Sequence, residues 1–226
     1  MIILFIICIN TFILTEELQY GVKIRNIKAG SAVLKFDNLY DSKNNLGKIS
    51  FNVKTNKIID FFYKLRDNIT MIVNLDNYSI TEIQKNIQQG KYKKLNQAVI
   101  DYKNKTIFYN SKEQHFDNIL YSPISIIYYL RKQNLNINKK FHFDIFENGK
   151  IKNVIAEVQN FESIKIKNKI YNCFVLTIKS IKDNHINKEM TLMIDSSGKH
   201  LPIIIKTKTK QGEMILSFKK TISNEK

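Results

Sequence analysis

Histidine, cysteine, arginine and paired carboxylates are the side chains most able to carry chemistry, and this chain uses them sparingly. Its four histidines, His115, His142, His185 and His200, form no HExxH pair and no zinc-ligand spacing. His142 and Asp144 alternate along one strand and read as an edge-strand pair, not as a chelate, so no metal site is expected. The chain has two cysteines, Cys8 and Cys173; Cys173 lies between Asn172 and Phe174 with no base in sequence beside it. It reads as a buried small hydrophobe. Glu16 and Glu17 read as solubility at a flexible start, not as an acid/base couple. There is no Gly-x-Ser-x-Gly elbow, no phosphate loop and no dinucleotide fingerprint. The expectation is a non-enzyme with no cofactor.

Arginine occurs only at Arg25, Arg66 and Arg131. Arg131 closes an apolar helical segment. It reads first as a helix-end charge or the partner of an acid on the sheet, and second as an anchor for an anionic head group at the mouth of an apolar cavity. The net charge of +16 is almost all lysine, in a chain rich in isoleucine and asparagine but holding 7 glycines, 2 prolines and no tryptophan. Biased composition with solvated lysine faces accounts for that charge better than a dedicated anion-binding surface. The Lys91-Tyr92-Lys93-Lys94 cluster interleaves an aromatic with cations, but no nucleic-acid motif surrounds it. It reads as a solvated strand start, and no nucleic-acid partner is expected.

The elements that must position these residues are mostly strands. Leu18, Tyr20, Val22 and Ile24 alternate with polar residues, and Ala32, Leu34 and Phe36 resume the pattern after Lys28-Ala29-Gly30. Val154, Ala156 and Val158 repeat it, followed by Phe174, Leu176 and Ile178, then Met214, Leu216 and Phe218. Asn148-Gly149 is a type I′ hairpin signal, and Ser197-Gly198 and Gln211-Gly212 read as further reversals. Two segments break the alternation. Residues 56–66 place Ile58, Phe61, Phe62 and Leu65 on one helical stripe. Residues 123–132 follow a Ser122 cap, start with Pro123 at the first helical position and are apolar nearly all round, which predicts a buried helix. A strand meander with one such helix predicts a single curved antiparallel sheet, mainly β, with one or two helices packed on its concave face.

Residues 2–14 are an almost unbroken apolar run, shorter than the ~20 residues needed to span a bilayer. They fit a secretory signal peptide over 1–15, leaving 16–226 as one β-rich domain. A basic leading segment and a small-x-small cleavage site are missing, and the residues before Cys8 lack a lipobox.

Three separated motifs resemble an exported bacterial family, domain of unknown function 3108. Glu17-Leu18-x-Tyr20-x-Val22 with Ile27-x-Ala29-Gly30 is similar to its opening strand pair. Ser122-Pro123-Ile124-Ser125-Ile126-Ile127-Tyr128-Tyr129-Leu130-Arg131 resembles its Asp-Pro-Leu-Ser-x-x-Tyr-x-Leu-Arg helix, with serine where an acid is usual. Met193 to Pro202 resembles a strand-turn-strand that usually carries a tryptophan, absent here, and the stretch from Lys206 to Gly212 also fits. The resemblance implies a periplasmic protein with a half-barrel sheet like that of lipoprotein carriers; it implies no activity.

The expected function is an exported cell-envelope protein, a monomer, that binds a lipid or other hydrophobic ligand in the concave face. Phe61, Phe62, Ile127 and Tyr128 are then the candidate lining, with Arg131 at the head group. Lipid or a lipoprotein is the expected partner. The alternative is a non-enzymatic module docking another envelope protein, and a hydrolase stands behind both.

Overall fold

The computed structural model describes residues 13–182, 185–209 and 211–225. The segment read as a signal peptide lies outside the described residues up to residue 12; Ile13 already begins the first strand.

Among the described residues, fifteen strands and two short helices follow one another. The first half runs β1 (Ile13–Ile24), β2 (Ile27–Asp41), β3 (Leu46–Thr55), α1 (Lys57–Phe62), β4 (Leu65–Asn74), β5 (Ile80–Gln89), β6 (Tyr92–Asp101), β7 (Thr106–Tyr109) and β8 (Lys112–His115). The second runs β9 (Leu120–Tyr121), α2 (Ser125–Arg131), β10 (Lys140–Glu147), β11 (Lys150–Ile166), β12 (Lys169–Lys182), β13 (His185–Asp195), β14 (Pro202–Thr209) and β15 (Gly212–Glu225). They form one open, curved sheet in the order β8-β7-β6-β5-β4-β3-β2-β1-β15-β14-β13-β12-β11-β10-β9. Neighbours are antiparallel throughout, except that β9 lies parallel to β10.

The alternation seen in the sequence is the alternation of the core. Leu18, Tyr20 and Val22 are buried on β1, Val154, Ala156 and Val158 on β11, and Leu216 and Phe218 on β15. Asn148 and Gly149 take positive φ angles of 52° and 78° and join Glu147 to Lys150, as a type I′ hairpin requires. Gly30 is needed for another reason: a Cβ there would lie 1.9 Å from the Lys54 carbonyl oxygen on β3.

Curvature brings the two ends of the strand order towards each other. The Tyr109 ring on β7 meets Phe146 on β10 edge to face at 5.6 Å. Beside them, the Tyr102 hydroxyl donates to the Ile80 carbonyl at 3.0 Å and accepts from the Leu120 amide at 3.3 Å.

Helix α2 occupies the concave face. The Ser122 hydroxyl oxygen accepts from the Ile124 and Ser125 amides at 3.2 and 2.9 Å, so this serine caps the first turn across Pro123. Ser125, Ile126, Ile127, Tyr128 and Leu130 are all buried. Helix α1 behaves differently and contributes no buried residue. The expected helix over 56–66 stops at Phe62 because Tyr63 is extended and Leu65 already pairs with Gln89 in the sheet. Of the two described helices, α2 is therefore the one packed on the concave face.

Candidate functional site

Strand alternation turns every second residue of β3, β4 and β5 inward. Phe51 and Val53 from β3, Leu65, Asp67, Ile69 and Met71 from β4, and Ile83, Lys85 and Gln89 from β5 make one wall of an interior cavity of about 430 Å3. Ladder register stacks them in tiers, Ile49–Met71–Ile83 and then Phe51–Ile69–Lys85. Glu147, Thr207, Thr209 and Met214 supply the opposite wall. Ser122, Pro123 and Ile124 close the bottom, so the N-terminal end of α2 is the floor.

The cavity reaches the end of the barrel where α1 and several turns gather. The Asn56 amide donates to the Ala29 carbonyl at 2.8 Å, and the Gly90 amide to the Lys64 carbonyl at 2.8 Å. Gln211 Nε2 donates to the Tyr63 hydroxyl at 2.7 Å, and the Arg25 amide to the Glu213 carbonyl at 3.0 Å. These bonds tie α1 to the β1–β2, β5–β6 and β14–β15 turns.

The lining is apolar with a polar tier. Asp67 is buried and accepts from the Gln88 amide at 3.2 Å and from Gln89 Nε2 at 2.6 Å. Burial pushes its carboxyl above the ordinary carboxylate range, against the pull of those two donors. Burial lowers the Lys85 ammonium, with Glu147 opposing and Lys152 assisting. Lys152 in turn meets Glu147 at 3.0 Å. A ligand here would lay an apolar body on Phe51, Ile69, Met71, Ile83 and Met214 and turn a polar group to Asp67, Lys85 and Glu147.

The five residues singled out in the sequence do not share one site: Phe61 and Phe62 pair on α1, while Arg131 lies over the Tyr128 ring at the end of α2. Phe61 and Phe62 are 86% and 78% exposed on α1 and line no interior. Ile127 and Tyr128 are buried, and neither lines the cavity; Tyr128 stacks on Tyr78 at 6.1 Å and meets Phe36 at 4.9 Å. Arg131 lies at the opposite end of α2 from the cavity. Its guanidinium holds Glu16 at two points, 2.6 and 2.8 Å, and donates to the His200 and Lys199 carbonyls at 3.0 and 3.3 Å. Burial alone would lower its pKa, and the hydrogen bond and charge of Glu16 raise it above the ordinary arginine value instead. Arg131 is thus a clamp between α2, β1 and the loop before β14, and Glu16 is its partner, not a loose solubilising charge. Asp67, Lys85 and Glu147 went unremarked in the sequence. Their signal was a charge at an inward position of an apolar alternation, as in Leu65-x-Asp67-x-Ile69-x-Met71.

Cys173 is fully buried, its thiol pushed up to about 12 by burial and then by the charges of Asp195 and Glu162. Among the described residues no group of three His, Cys, Asp or Glu side chains could hold a metal ion. No helix among them is long and apolar enough to cross a membrane. A second, open hollow of about 640 Å3 lies at the other end of the sheet, lined by Lys169, Lys199, Lys219 and Lys220 with Asp195. Ile170, Tyr171, Leu201 and Phe218 also line it, so cationic and apolar groups share this hollow.

A crystal structure described as a beta-barrel-like protein of domain of unknown function DUF1849, from Brucella abortus, is similar to this fold. The TM-score is 0.62 at 9% identity, covering 95% of this chain and 99% of that one. No curated protein matches the chain. The family model described as protein of unknown function (DUF3108) matches residues 18–219, and the chain belongs to that family.

Proposed function

We propose that this protein is a non-catalytic binder of a hydrophobic ligand, with a long-chain lipid as the class that fits best. The observation that carries the reading is the interior cavity of about 430 Å3 above the N-terminal end of α2. Ligand sites commonly fall between ~300 and 1,000 Å3 and combine an apolar lining with a few convergent polar groups. Phe51, Ile69, Met71, Ile83 and Met214 supply the first, and Asp67, Lys85 and Glu147 the second. A fully packed interaction module would have no use for such a space.

We place the protein in the cell envelope as an exported carrier. The apolar run over residues 2–14 supports export, and an apolar cargo needs a protein shell to cross water.

The test is native mass spectrometry of the protein purified without detergent from an exporting host, before and after addition of oleate. A mass excess that extracts into organic solvent, or stoichiometric oleate uptake, is expected. Ile69→Trp and Met214→Trp, which put bulk into the cavity, should lower uptake by about tenfold or more, equivalent to the loss of a little over 1 kcal/mol of binding. An apo mass with no uptake by the parent protein would sink the reading.

A further inference from the structure

Helix α1 is fastened by its polar residues and leaves its apolar ones outside. The Asn56 side chain accepts from the Ile59 amide at 3.0 Å, and Arg66 and Thr55 both bond to Asp60. Ile58, Phe61 and Phe62 are 75%, 86% and 78% exposed, and the two phenyl rings meet edge to face at 5.2 Å. Nothing in the fold requires three large apolar side chains to stand together on a rigid tip. Exposed apolar clusters of this kind mark contact surfaces.

Charge around the tip says what it contacts. Lys57 opens α1 and Lys64 follows it, and both are exposed. Lys28 at the start of β2 and Lys91 on the β5–β6 turn stand beside it, where the Asn56 side chain donates to the Lys28 carbonyl and the Gly90 amide to the Lys64 carbonyl. Of the nearby acids, Asp60 is paired with Arg66 and Asp67 is buried, which leaves Glu213 at the start of β15 exposed against the four lysines. An apolar wedge inside a collar of lysines complements an anionic lipid bilayer: the ammonium groups meet head groups while the rings enter the interface.

We infer that α1 is a docking tip for an anionic membrane surface, with Ile58, Phe61 and Phe62 as its wedge. The cavity reaches this same end of the barrel, so on the carrier reading docking would set the ligand's exit against the bilayer. The docking itself does not depend on the cavity being occupied.

The sequence has no tryptophan, so Phe62→Trp in the full chain gives a single reporter. Phe161→Trp gives a control on β11, at the far end, where Phe161 is 45% exposed. Vesicles of phosphatidylglycerol mixed with phosphatidylcholine should shift the Phe62→Trp emission to the blue. Bromine on the lipid acyl chains should quench it, and the control should do neither. Phe61→Ser with Phe62→Ser should reduce co-sedimentation with these vesicles by about tenfold or more, and added salt should remove what remains. Circular dichroism checks that this pair of changes leaves the sheet intact, and oleate uptake in solution, read separately, tests the cavity. Sedimentation with an unshifted Phe62→Trp spectrum would mean general adsorption of a cationic protein and would overturn the proposal. So would equal shifts at both reporters, or no binding to anionic vesicles.

Discussion

The guanidinium of Arg131 grips both carboxylate oxygens of Glu16, two residues 115 positions apart in the chain. Their side chains are only 10% and 15% exposed. The same arginine lies 5.2 Å over the Tyr128 ring, and His200 Nδ1 meets its carbonyl oxygen at 2.8 Å. One side chain therefore fixes the end of α2 to the first strand and to the loop before β14.

Removing one member of this pair strands a charge in a largely dry site. Glu16→Gln and Arg131→Ala should each cost about 3–5 kcal/mol in urea unfolding. Replacing both, Arg131→Met with Glu16→Leu, should recover a large part of that loss, because no charge is left unpaired. Oleate uptake by whatever fraction remains folded should be unchanged, since the clamp is remote from the cavity. Selective loss of uptake in folded Arg131→Ala would return this residue to the ligand site.

Tyr128 carries a buried hydroxyl with no hydrogen-bond partner among the described residues. Burial drives that phenol well above its ordinary pKa, so the group gains nothing by ionising. Tyr128→Phe should therefore be neutral, or stabilising by up to about 1 kcal/mol, by denaturant midpoint. A clear destabilisation would mean that the hydroxyl has a partner after all.

Much of the sheet was legible because burial on one face writes itself as period two. Leu18-x-Tyr20-x-Val22 and Val154-x-Ala156-x-Val158 carry the same signal in sequence and in space. The Asn148-Gly149 turn was legible because few residues accept two positive φ angles in a row. Helix α1 was legible as a helix, but the side its stripe faces was not. Its stripe of Ile58, Phe61 and Phe62 has the same spacing whether it is buried in a core or exposed, and sequence periodicity does not tell which. The cavity was hidden because its walls are assembled by pairing β4 with β3 and β5. The partner of Glu16 was hidden by chain separation alone.

Asp67 makes stability depend on pH in a stated direction. Its folded pKa is raised by burial, so the folded state binds more proton than the unfolded state between the ordinary value, ~3.9, and the raised one. Its contribution to stability therefore falls as pH rises through that window and stays low above it. Asp67→Asn should remove the slope. The difference in melting temperature between variant and parent should grow in the variant's favour with pH across the window and then level off. A difference that is flat with pH would show that the carboxylate is not held in an unfavourable site.

Tyr102 is the hydroxyl that spans the gap between the sheet's two ends. It donates to the Ile80 carbonyl at 3.0 Å and receives the Leu120 amide at 3.3 Å, while Phe116 packs edge to face on its ring at 5.3 Å. Strand β9 has only two residues and a parallel pairing with β10, so it has little else to hold it in register. Tyr102→Phe keeps the ring packing and deletes the bridge, leaving two buried backbone groups without their partner. The expected cost is about 1–3 kcal/mol. Hydrogen exchange should localise it, with the Leu120 amide losing protection while Leu18 and Leu176 in the middle of the sheet keep theirs. Loss of protection across the whole sheet would mean that the two ends support the curvature globally; unchanged exchange at Leu120 would mean that the parallel pairing with β10 is sufficient by itself.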